Sequence, residues 1–92
     1  MSRIYDKWFA SLRDRTTKAR IVTRILNLGD GNFGDTKPVG DNIQELRLHF
    51  GPGYRVYFTR RGDRIILLLC GGDKGSQQRD IIRAKRIEAE LE

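Results

Sequence analysis

Glu45-Leu46-Arg47-Leu48-His49-Phe50-Gly51-Pro52-Gly53-Tyr54-Arg55-Val56-Tyr57-Phe58 alternates apolar and polar residues on both sides of a Gly-Pro-Gly break. A period of two marks strands with one buried face, and glycine with proline supplies the turn between them. Setting Phe50 opposite Tyr54 places Leu48 against Val56 and Leu46 against Phe58, all on one side. The other side then carries Arg47 opposite Tyr57, His49 opposite Arg55 and Glu45 opposite Thr59. A slip of one residue would drive arginine into the core, so the pattern itself holds each residue to its face. The expected strands cover 43–50 and 54–60.

Working outward, Arg61-Gly62-Asp63 predicts a second turn into a third strand over 64–71. Ile65-Ile66-Leu67-Leu68-Leu69-Cys70 is apolar at every position, the pattern of a strand covered on both faces. Upstream, Tyr5, Trp8, Phe9 and Leu12 recur at helical spacing and predict a short amphipathic helix. Asp14 is the expected N-cap of a second helix running through Leu28. Gly29-Asp30-Gly31-Asn32-Phe33-Gly34-Asp35 reads as loop. Ser76 is the expected N-cap of a last helix with Ile81, Ala84, Ile87 and Leu91 on its apolar side. The fold class is therefore α+β: two N-terminal helices packed on a small antiparallel meander of three strands, with a C-terminal helix.

Ninety-two residues make one domain, 1–92. No apolar run approaches the ~20 residues of a membrane span, and residues 1–14 lack the apolar centre of a secretory signal. A cytoplasmic protein without membrane attachment is expected. The single Cys70 excludes an intramolecular disulfide, and the single His49 argues against a Cys/His zinc site. Asp30, Asp35, Asp41 and Glu45 show no metal-ligand spacing, so no metal or other cofactor is expected. The net charge of +6 is unevenly placed: +5 over 1–28, −3 over 29–46, +4 over 47–64 and zero over 71–92. Two basic segments around an acidic loop suit a polyanion, and thirteen of the eighteen cations are arginine, which binds phosphate bidentately.

An Arg-His-Arg-Tyr cluster on a sheet has the parts that phosphodiester cleavage in RNA requires. Attack by the neighbouring 2′-hydroxyl needs a base, an acid for the leaving oxygen and cations facing the developing charge. Arg47 and Arg55 stay protonated and suit the last task. His49 or a lysine suits proton transfer, since nearby positive charge disfavours the protonated imidazole. Lys37 and Lys74 stand near strand ends that border the same face. Tyr57 is placed to stack on a base. The candidate catalytic residues are Arg47, His49, Arg55 and Lys74, with Lys37 and Tyr57 as substrate-binding residues. Gly71-Gly72-Asp73-Lys74-Gly75-Ser76 lacks the G-x-x-x-x-G-K-[ST] spacing, which argues against nucleotide hydrolysis. Cys70 reads as core.

Several motifs in one chain resemble a known family. They are Trp8 with Leu12, Gly31-Asn32-Phe33-Gly34-Asp35, Lys37-Pro38-Val39-Gly40, Glu45-Leu46-Arg47, Gly51-Pro52-Gly53-Tyr54-Arg55-Val56-Tyr57-Phe58 and Leu68-Leu69-Cys70-Gly71-Gly72-Asp73-Lys74. Together they resemble the phage Gp49-like, HigB-type addiction module killer branch of the RelE/ParE toxin superfamily, from about Trp8 to Lys85. The resemblance implies a RelE-like fold and the role of toxin in a type II toxin–antitoxin system. It further implies ribosome-dependent mRNA cleavage and a helix-turn-helix antitoxin as partner. In that pattern a cation in the second strand, an arginine after Gly-Tyr and a cation after the last strand form the active surface. Arg47, Arg55 and Lys74 match them. The family's catalytic tyrosine in the last helix is not matched, since Gln77, Gln78 and Asp80 stand there, which leaves acid–base work to His49 or Tyr57. Relatives also open with a strand, whereas only Met1 to Ile4 precede Tyr5, so an incomplete sheet edge is expected. A ParE-like inhibitor of DNA gyrase and a non-catalytic nucleic-acid or antitoxin-binding module are the alternatives. The expected antitoxin contact is the helical hairpin with Arg13, Arg15, Arg20 and Arg24, or else the acidic end of the last helix.

Overall fold

The computed structural model describes residues 2–62 and 65–91. Helix α1, Arg3–Ser11, starts where the Ser2 hydroxyl accepts the Tyr5 N–H. Helix α2, Arg15–Gly29, is capped by Asp14, which accepts from the Thr16 N–H and the Thr17 hydroxyl. Four antiparallel strands follow in spatial order β1-β2-β3-β4: Thr36–Gly40, Ile43–Leu48, Tyr54–Arg61 and Ile65–Gly72. A 3₁₀ turn, Lys74–Ser76, leads into α3, Gln77–Glu90. The α+β class with two N-terminal helices, a meander and a C-terminal helix is as expected. The sheet has four strands rather than three. Thr36-Lys37-Pro38-Val39-Gly40 lacks alternation and contains a proline, yet an edge position tolerates a residue without an N–H. Asp41 and Asn42 join β1 to β2 with φ of 52° and 63°, the left-handed pair that a two-residue hairpin turn requires.

The register between β2 and β3 differs from the expected one by two residues. Leu48 pairs with Tyr54, Arg47 with Arg55, Leu46 with Val56 and Glu45 with Tyr57. The connection is a five-residue turn, 49–53, closed by the Gly53 N–H on the Phe50 carbonyl at 3.1 Å, with Gly51 and Gly53 at positive φ. Because the displacement is even, every side chain keeps its expected face. His49 and Phe50 leave the strand. Between β3 and β4, Tyr57 pairs with Cys70 and Phe58 with Leu68, so Leu69 is an extra residue. This bulge turns Leu69 and Cys70 to the same side. Of the expected turn Arg61-Gly62-Asp63, Arg61 ends β3 and Gly62 takes a φ of 66°, while Asp63 and the following Arg64 lie outside the described residues.

The sheet is covered on both faces. Leu46, Leu48, Val56, Phe58 and Leu68 pack under α1 and α2 against Tyr5, Ile21 and Leu28. Ile43, Tyr57, Leu69 and Cys70 pack under α3 against Ala84 and Ile87. The face expected to be an open cationic surface is thus half covered by a helix. Gly71 and Gly72 permit the close approaches: a Cβ on Gly71 would lie 2.3 Å from the Trp8 indole, and one on Gly72 1.9 Å from Asp80 Oδ2. Ser76 does not cap α3 through its side chain. Asp73 instead caps the 3₁₀ turn in a reciprocal box with Ser76. Where the resemblance implies an opening strand, Ser2 makes a single backbone bond to Leu68 at 3.0 Å.

Candidate functional site

Glu45, wholly buried in mid-strand, organises the cationic face. Its Oε1 accepts from Arg47 Nε at 2.9 Å and from Arg55 Nη1 at 3.0 Å. Its Oε2 accepts from the Tyr57 hydroxyl at 2.9 Å and from Gln77 Nε2 at 2.8 Å. Burial pushes this carboxyl's pKa up, but the bonds from Arg47, Gln77 and Tyr57 and the charge of Arg55 outweigh it, and the pKa lies below the ordinary glutamate value. Arg47 and Arg55 are direct cross-strand partners, an unfavourable juxtaposition of like charges that the carboxylate between them neutralises. Arg47 is held through Nε, and Arg55 through Nη1 and Nε. Among the described residues, both Nη groups of Arg47 and Nη2 of Arg55 have no protein partner, and none of them is sealed from solvent.

Two further groups border Arg47 and Arg55. On one side, Asp35 accepts the Arg47 backbone N–H on its carbonyl at 2.9 Å and joins His49 Nε2 through its carboxylate. The His49 bond, with the charges of Arg47 and Lys37, holds the Asp35 carboxyl below its usual range. On the other side, Arg55 Nε donates to the Gly53 carbonyl at 3.4 Å, and the Lys74 stem packs on Gly53, 3.3 Å from where a Cβ would be. Arg47, Arg55 and Lys74 therefore gather at one end of the sheet, and His49 with Lys37 approaches through Asp35.

Two expectations change. Arg55 is 9% exposed rather than on a solvated face, because the buried Glu45 draws its Nη1 inward and the Gly53 carbonyl of the β2–β3 turn holds its Nε. Tyr57 has no exposed surface: α3 covers it, its hydroxyl is committed to Glu45, and burial together with that carboxylate drives its pKa far up. It offers no ring face to a base. Glu45 and Gln77 were not among the expected site residues. Glu45 is visible in the pattern, two residues before Arg47 and so on the same face; Gln77 is marked only as one of the residues standing where the resemblance places a tyrosine, and it reaches the site through the packing of α3. Among the described residues no group of three His, Cys, Asp or Glu side chains is arranged to hold a metal, and no helix is long and apolar enough to cross a membrane.

Two clamped arginines, a lysine and a histidine–carboxylate pair give this small α+β protein a cationic sheet end. The family model for the phage-derived Gp49-like proteins (DUF891) matches residues 7–90. The chain belongs to that family, which is of the RelE/HigB toxin type. It is 47% identical over 87 residues to an uncharacterized protein of Haemophilus influenzae, covering 95% of this chain and 88% of the relative. No solved structure matches. Membership is consistent with the toxin of a toxin–antitoxin pair, a role that brings an antitoxin partner.

Proposed function

We propose that this protein is a type II toxin acting as an mRNA interferase, cleaving RNA on the ribosome through attack by a 2′-hydroxyl on the adjacent phosphorus. The observation that supports the reading is the Glu45 clamp, which presents three unpaired guanidinium nitrogens of Arg47 and Arg55 side by side. A phosphate bound there meets donors already oriented toward its non-bridging oxygens, where charge grows in the transition state. His49 Nε2–H donates to Asp35, which leaves Nδ1 as the acceptor for the 2′-hydroxyl proton. The new bond joins the 2′ oxygen to phosphorus as the bond to the 5′ oxygen breaks. The Lys74 ammonium supplies the proton to that leaving oxygen, and a 2′,3′-cyclic phosphate results. Lys37 contributes charge to the approach of the strand, and a helix-turn-helix antitoxin restrains the activity in the cell.

The test is a short pulse of induced expression followed by mapping of RNA 5′ ends. New ends within translated messages, absent from Arg47→Ala, are the expected result. Growth arrest with DNA breaks and no new RNA ends would overturn it in favour of gyrase inhibition. In solution, four or five phosphate contacts correspond to a log–log salt slope of about −3 for single-stranded RNA, at roughly −0.7 per contact.

A further inference from the structure

We infer that the cleft between α2 and the β2–β3 turn is a second nucleotide subsite, holding a base and phosphate of single-stranded RNA beside the phosphate at Arg47 and Arg55. The inference rests on the RNA reading above. The cleft measures about 400 Å³; Arg20 and Arg24 stand on its α2 wall, and Leu48, His49 and Phe50 form the opposite wall. Its floor is apolar and its rim cationic, the combination that takes a nucleobase together with its phosphate.

The Arg20 guanidinium lies 4.5 Å from the Phe50 ring centroid, so the ring holds that planar cation in place. Arg20 is exposed, and a guanidinium held against a ring is a platform on which a base stacks. Arg24 ties the cleft to the primary site: its Nη1 donates to the Arg47 carbonyl at 3.4 Å, while its Nη2 has no partner. His49 stands between the two sites, 71% exposed in its side chain and no more than about 7 Å along the backbone from Arg47. One nucleotide of an extended strand spans that step. An acidic protein partner fits less well. Between the two arginines the lining comes from Ala19, Leu48 and Phe50, apolar surface that suits a base and gives a carboxylate no donor.

The probes are end-labelled, fully 2′-O-methylated oligonucleotides of two and six nucleotides, which bind without being cleaved, read by fluorescence anisotropy. The wild type is expected to bind the hexamer at least tenfold more tightly than the dinucleotide. Arg20→Gln should bring the hexamer close to the dinucleotide, leave dinucleotide affinity unchanged and reduce the hexamer salt slope by about 0.7. Arg20→Lys keeps the charge but not the planar stack, and should keep the slope while losing most of the length advantage. Melting curves for both variants separate loss of binding from loss of fold. Dinucleotide binding that depends on Arg47 but shows no length advantage overturns the subsite alone. Unchanged hexamer affinity in Arg20→Gln, with a weakened complex of toxin and co-expressed antitoxin, overturns it in favour of a protein surface. No RNA binding at either length overturns the subsite, while the interferase reading, which acts on the ribosome, is decided by the mapping of RNA 5′ ends.

Discussion

Glu45 and Arg55 meet diagonally across β2 and β3, Oε1 3.0 Å from Nη1, with side-chain exposures of 1% and 11%. Neither is the other's register partner: Glu45 sits opposite Tyr57, and Arg55 opposite Arg47. The diagonal lets one carboxylate serve both arginines while two neutral donors fill its remaining lone pairs. A buried charge is tolerated when its hydrogen-bonding capacity is filled in this way.

Arg55→Ala should destabilise the fold by about 3–5 kcal/mol, because it leaves a buried carboxylate without its least exposed counter-charge. Arg47→Ala should cost less, since Arg47 is a quarter exposed and Glu45 keeps three donors. Urea denaturation measures both. Equal costs would mean that Arg55 is solvated, contrary to its packing. For tests of activity Arg47→Ala is therefore the cleaner variant.

Stability should fall on acidification through the Glu45 carboxyl. Its folded pKa is below its unfolded one, so its contribution is fully present above the ordinary glutamate value of 4.5 and disappears as pH drops through the lowered value. Glu45→Gln, less stable at neutral pH, should show a shallower acid limb than wild type in melting temperature against pH. An unchanged acid limb would assign the acid sensitivity to other carboxylates.

Gly72→Ala should destabilise by about 1–3 kcal/mol or more, the range for overpacking. The added methyl falls 1.9 Å from Asp80 Oδ2 and 2.7 Å from Ser76 Oγ, on the Ser76–Asp80 hydrogen bond at the start of α3 that lies over Gly72 of β4. Gly29→Ala, with open space around its Cβ, is the control and should change melting little.

Cys70 should resist iodoacetamide at pH 8 in the native protein and react readily in denaturant. Burial, reinforced by the charge of Asp80, pushes the thiol up to about 12, so almost no thiolate exists at that pH. Rapid native alkylation would show that α3 detaches from the sheet.

Alternation over residues 45–58 decided which side chains face which way, and it did so even though the expected register was displaced by two residues. Faces depend only on parity, whereas register depends on how many residues the turn consumes, and Gly51 and Gly53 allow more than one length. The helical spacing from Tyr5 to Leu12 and the Asp14 cap were local signals, and both helices stand where those signals place them. β1 was not legible, since Thr36-Lys37-Pro38-Val39-Gly40 becomes a strand only because β2 offers it an edge. The cations of the site were visible as residue types on one face. Their burial, the withdrawal of Tyr57 and the arrival of Gln77 were decided by α3, which lies across that face thirty residues later in the chain. A side chain's face is a property of its own strand, but its exposure depends on what packs above it, and for this site only the tertiary structure could supply that.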